Sequence, residues 1–112
     1  MHARDEVKVA RTESLFRGVN ERIASTAERF GADDASFVCE CADPECTHTI
    51  HATLDEYEEV RSDGAQFLVL EEHVEPDVER VTKRNRRFTL VEKVKPLVRR
   101  TAQRLDPRAQ NA

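Results

Sequence analysis

The 112-residue chain predicts one small α+β domain, and three observations carry that expectation. Apolar residues recur at helical spacing over residues 12–30, and several short apolar runs have the length of strands. Three cysteines fall within the eight residues Cys39-Glu40-Cys41-Ala42-Asp43-Pro44-Glu45-Cys46. A chain of this size buries a modest share of its surface and gains from an added staple. Hydrophobic residues make up 38% and charged residues 36%, with no Trp. That is polar for a globular domain yet richer in apolar residues than a disordered chain, so the core residues must be gathered on a few faces.

Residues 1–11 are polar and aperiodic and are expected as a loose arm. From Thr12 onward, Leu15, Phe16, Val19, Ile23, Ala27 and Phe30 recur in steps of three and four, with Arg17, Glu21, Arg22, Glu28 and Arg29 between them. This predicts an N-terminal amphipathic helix whose apolar stripe faces the core, closed by Gly31. Phe37 to Cys41 has strand character, and alternation places Phe37, Cys39 and Cys41 on one face. Asp43-Pro44-Glu45-Cys46 has turn chemistry, and Thr47 to Ala52 returns as a second strand, giving a hairpin that carries the cysteines.

Thr53-Leu54-Asp55-Glu56 matches a capping box, so a second helix starts there, with Leu54, Tyr57 and Val60 on its apolar side and Ser62-Asp63-Gly64 ending it. Phe67 to Leu70 reads as a buried strand. Pro76, followed by Asp77 and Glu79, predicts a short third helix carrying Val78 and Val81, and Phe88 to Val94 a last strand. The domain is thereby placed at residues 12–95. Residues 96–112, apolar only at a few positions such as Leu97, Val98, Ala102 and Leu105, are expected as a basic tail, weakly helical or disordered.

The net charge of −4 conceals an asymmetry, since residues 1–75 hold 18 acids and 7 bases and residues 76–112 hold 4 acids and 11 bases. The two halves attract each other. Lys83, Arg84, Arg86, Arg87, Arg99 and Arg100 are candidates to touch nucleic acid, an acidic partner or the chain's own acidic half, although a solvated charge run is the commoner explanation of such a segment. No apolar run resembles a signal peptide or a membrane span, so the expected compartment is the cytoplasm. Thiols stay reduced there, and a tight cysteine cluster points to metal binding or redox chemistry rather than a structural disulfide.

Structural zinc takes four tetrahedral ligands from Cys and His. Cys39 and Cys41 on one strand face and Cys46 from the following turn supply three. The fourth comes from His73, His48 or His51; alternation sets His48 and His51 on opposite faces, and a ligand from a separate part of the chain staples the hairpin to the rest of the fold, which favours His73. Buried apolar cysteines are the bland alternative. Glu40 and Glu45 flank the thiols and could serve as the base of a catalytic zinc, but three thiolates and a histidine close the shell, so no catalysis is expected.

Several stretches resemble a group of small, uncharacterised actinobacterial proteins: Ser14-Leu15-Phe16-Arg17-Gly18-Val19-Asn20-Glu21-Arg22-Ile23, Phe37-Val38-Cys39-Glu40-Cys41 with Cys46-Thr47, Leu54-Asp55-Glu56-Tyr57-Glu58-Glu59-Val60-Arg61, and Val91-Glu92-Lys93. The resemblance covers roughly residues 13–93. It implies a fold, a zinc site and His73 as the fourth ligand, and no activity. The sequence therefore leads to a zinc-stabilised cytoplasmic α+β module that acts through a protein or nucleic-acid interface, with a thiol-based redox switch on the same cysteines as the alternative.

Overall fold

The computed structural model describes residues 3–109. Its first helix, α1 (Ala3–Arg29), begins well before the apolar periodicity does. Residues 3–11, which patterning alone makes a loose arm, are its opening turns, because Ala10 and Val9 find apolar partners in Val78 and Val98 and Lys95 reaches Glu6 at 2.9 Å. Gly31 ends the helix at φ 72°. The Ala32 N–H donates to Ala27 O and the Gly31 N–H to Glu28 O, the paired bonds by which a left-handed glycine satisfies the last carbonyls of a helix.

Strands β1 (Asp34–Val38) and β2 (Thr49–Thr53) form an antiparallel hairpin with Phe37 opposite Ile50. Helix α2 (Leu54–Arg61) starts on the expected capping box: Thr53 Oγ1 accepts the Glu56 N–H, and the Glu56 carboxylate accepts the Thr53 N–H. Strand β3 (Gln66–Val69), a single 3-10 turn (Glu71–His73), β4 (Glu79–Arg84) and β5 (Thr89–Lys93) follow. They make a second antiparallel sheet in the order β3-β5-β4. Helix α3 (Pro96–Arg104) closes the described chain.

Pro76 does not start a helix. Val78 and Glu79 both donate to Glu75 O in a tight turn, and the chain enters β4 directly, where Val81 lies opposite Val91 of the central strand. The ladder to β5 outweighs a one-residue proline signal. Residues 96–104, expected as a weak tail, are a helix started by Pro96 with Val98, Thr101 and Ala102 buried. The main core gathers Phe37, Ile50, Tyr57, Val60, Phe67, Leu68, Val69, Leu90 and Val91, with the Phe37 and Tyr57 rings stacked 4.5 Å apart.

The face that α1 buries is the larger departure. Ile23 of the expected stripe packs against the main core, but Leu15 and Phe30 are 68% and 84% exposed, and the buried residues are Glu6, Ala10, Glu13, Arg17 and Asn20. These also step by four and three, so they form one face of the helix. Its partners are polar: Arg17 donates to Gly64 O at 2.6 Å and Ala102 O at 2.7 Å, and Glu13 pairs with Lys93, which also pairs with Glu79. Arg17 and Lys93 both lie over the Phe67 ring. Buried cations need partners; Arg17 finds the Gly64 and Ala102 carbonyls, and Lys93 the carboxyl groups of Glu79 and Glu13.

A candidate metal centre

Two stretches distant in sequence meet at the cysteines. Beyond β1, the Cys39 N–H donates to His48 O and extends the hairpin pairing by one step. The turn that follows is shaped by Asp43, whose carboxylate accepts the Glu45 N–H at 2.9 Å and whose carbonyl accepts the Cys46 N–H at 3.1 Å. A side chain that bonds its own backbone two residues on is a local device, fixed by sequence alone. The second stretch is the end of β3. Glu71 anchors the 3-10 turn by accepting from Arg84 at 3.0 Å and Thr89 Oγ1 at 2.6 Å, and the His73 N–H closes on Leu70 O.

The turn delivers His73 to the thiols. The ligand atoms of Cys39, Cys41, Cys46 and His73 all lie within 4.8 Å of one another. His73 Nδ1 is 3.3 Å from Cys39 Sγ and 3.6 Å from Cys46 Sγ. Tetrahedral zinc, with Zn–S near 2.3 Å and Zn–N near 2.0–2.1 Å, sets such S···N pairs about 3.6 Å apart. The three cysteines are unpaired thiols. Cys39 and Cys41 are buried and Cys46 half-buried.

The environment of the thiols bears on what they can hold. Burial pushes the Cys39 thiol far above its usual range, against the opposing pull of the Leu70 N–H that donates to its sulfur at 3.4 Å. Burial likewise raises Cys41, up to about 11. Such groups are poor thiolates on their own account, and a bound cation is what would stabilise three of them side by side. The Leu70 N–H is the kind of outer-shell donor that stabilises a metal-bound thiolate.

His48 and His51 are placed differently. His48 is exposed, its ring edge-on to that of His73 at 5.2 Å, so it flanks the cluster. His51 turns to Asp34 at 3.3 Å. Glu40 is engaged on the opposite side from the thiols that bracket it: one carboxylate oxygen accepts the Leu68 N–H at 2.9 Å, the other accepts Asn20 Nδ2 at 2.8 Å. Asn20 also donates to Val38 O and accepts the Val38 N–H. Glu40 and Asn20 thus brace the Cys-x-Cys segment against β3 and α1, a role not assigned to either residue from sequence. Glu45 stands exposed on the turn.

The basic candidates are largely occupied within the chain. Lys83 pairs with Glu59 at 3.0 Å, Arg84 with Glu71 at 3.0 Å, Arg87 with Glu56 at 2.8 Å and Arg99 with Asp63 at 3.4 Å. Arg86 and Arg100 are exposed and make no ion pair among the described residues. Exposed pairs of this sort contribute little to stability, about 0–1 kcal/mol each, yet each one takes up a positive charge.

No family model, curated protein or solved structure matches the chain. Among the described residues, no helix is long and apolar enough to cross a membrane.

Proposed function

We propose that this chain is a cytoplasmic module stapled by a structural zinc ion, with Cys39, Cys41, Cys46 and His73 as the ligands, and that it works through a protein or nucleic-acid surface without catalysis of its own. The observation that carries the reading is the convergence of four ligand atoms within 4.8 Å from two separate stretches of chain. A set of three thiolates and one imidazole suits zinc and leaves no position for a substrate. Glu40, the nearest buried carboxylate, is already held by Asn20 and Leu68, which removes it as a base for a metal-bound water.

Metal analysis of the purified protein, together with native mass and far-UV circular dichroism before and after a chelator, tests this directly. One zinc per chain, with unfolding on its removal, is the expected result. Absence of metal from a protein that stays folded would overturn the zinc reading and make the cysteines redox groups. His73→Ala separates the two: a structural centre loses zinc and thermal stability together, whereas a thiol switch tolerates the change.

A further inference from the structure

Seven residues is close to two turns of helix, so residues seven apart lie almost in line. On α1 the rows Lys8-Leu15-Arg22-Arg29 and Arg11-Gly18-Ser25 run side by side, opposite the buried Ala10, Glu13, Arg17 and Asn20. Neither row holds an acid. All these residues are exposed except Gly18, which is half-exposed. The stripe from Lys8 to Arg29 spans about 32 Å at 1.5 Å per residue.

Three properties set this face apart. Lys8, Arg11, Arg22 and Arg29 make no ion pair among the described residues, although most exposed cations of β4, β5 and the region beyond are paired to the chain's own acids. Leu15, 68% exposed, stands in the middle of the cations, and an apolar groove of about 420 Å³ lined by Val19, Ile23, Ala27 and Ala35 adjoins them at Arg22. Finally, Gly18 has nothing within 4 Å of the place a Cβ would occupy. A glycine inside a helix costs about 1 kcal/mol relative to alanine, and no neighbour in this chain requires it. A bare stretch of backbone beside a protruding leucine is what close approach by another helix uses.

We infer that the outward face of α1 docks an acidic amphipathic helix of a partner protein, with Leu15 and the adjoining groove taking its apolar side and Lys8, Arg11, Arg22 and Arg29 its carboxylates. A second copy of this chain is disfavoured, since pairing two such faces sets cation against cation. A nucleic acid would leave Leu15 and the adjoining apolar groove without a partner. The inference rests on the reading of the chain as a surface-acting module, and it stands apart from the metal.

The test uses the full-length chain and a synthetic helix of about 20 residues, long enough to span the stripe, with leucines on one face and flanking glutamates. Its lysine counterpart and a DNA duplex serve as competitors in fluorescence anisotropy, with native mass recorded in parallel. The expected result is binding of the glutamate peptide alone, weakened about tenfold or more by Arg22→Glu and by Leu15→Asp, and unchanged by Gln103→Glu on α3. Gly18→Leu should weaken it as well while leaving the circular dichroism unaltered. Binding of the duplex that Arg22→Glu abolishes and Leu15→Asp spares would overturn the inference in favour of a nucleic-acid face. A dimer broken by Leu15→Asp would overturn it in favour of self-association, and failure of every probe with the fold intact would remove it. A protein that lacks zinc yet binds the peptide refutes the metal centre and retains the docking face.

Discussion

Asn20 sits where a neighbouring strand would otherwise be. Its side-chain amide bonds both the N–H and the carbonyl of Val38 and still reaches Glu40, so one residue satisfies three polar groups at the edge of β1. Removing it leaves them without partners, and an unmade buried hydrogen bond costs about 1–3 kcal/mol. Asn20→Ala should lower stability by at least that amount in a denaturant titration. Because Glu40 lies between two of the candidate ligands, the same variant should also release metal to a chelator at lower chelator concentration. Asn20→Asp keeps the acceptor but sets a second carboxylate against that of Glu40, and it should be at least as destabilising as Asn20→Ala. Gly18 makes the opposite case. Gly18→Ala meets open space and should raise stability by roughly 0.5–1 kcal/mol, which thermal unfolding would show as a higher midpoint.

Among the elements, those set by local chemistry were legible and those set by partners were not. The capping box at Thr53, the left-handed Gly31 and the Asp43 turn are short-range devices, and the structure contains them all; the strand expected to run through Cys41 ends at Val38, although Cys39 and Cys41 still converge. That His73 joins the three cysteines was readable only as a preference, because strand alternation says nothing about where a 3-10 turn carries it. The helix expected at Pro76 and the buried face of α1 depend on what each segment packs against. Six apolar side chains at helical spacing outscored a polar face whose partners lie far along the chain, in Gly64, Lys93 and Ala102. The same logic governs α3. Its Val98 and Ala102 are fully buried, and its Ala102 carbonyl is one of the two acceptors of Arg17. Deleting residues 96–112 therefore removes one of the two carbonyl acceptors of Arg17 and the buried Val98 and Ala102 contacts, and should give a chain that unfolds at markedly lower denaturant. A truncated chain with unchanged stability would show that α3 is dispensable to the fold.

At the scale of the whole molecule, charge pairs add to the apolar core in joining the two ends of the chain. The acidic first part and the basic last part are drawn together through Glu6 with Lys95, Asp63 with Arg99, and Glu21 and Glu58 with Arg108. The innermost member of this arrangement is Lys93 of β5, fully buried between Glu13 of α1 and Glu79 of β4. One ammonium cannot neutralise two carboxylates, and Glu40 adds to the negative surroundings. Burial, opposed by Lys93 and reinforced by Glu79, pushes the Glu13 carboxyl from 4.5 up to about 8. The folded chain therefore keeps a proton on Glu13 that the unfolded chain gives up near pH 4.5. Its stabilising contribution is complete below that pH and is lost as pH rises toward 8, with a slope of up to about 1.4 kcal/mol per pH unit while the two states differ by one proton. Glu13→Gln keeps the neutral shape and cannot ionise. The variant and the parent should thus be nearly equal in stability at pH 5, and the variant should lead by more than about 1 kcal/mol at pH 8. If the cysteines hold a metal, deprotonation of those candidate ligands acts in the opposite direction, since thiolate is the form that binds, but it is common to both proteins and cancels in the difference. Denaturant titrations of the pair at several pH values read that difference, and one that stays level from pH 5 to 8 would mean that Glu13 is ionised in the fold and that Lys93 balances both carboxylates.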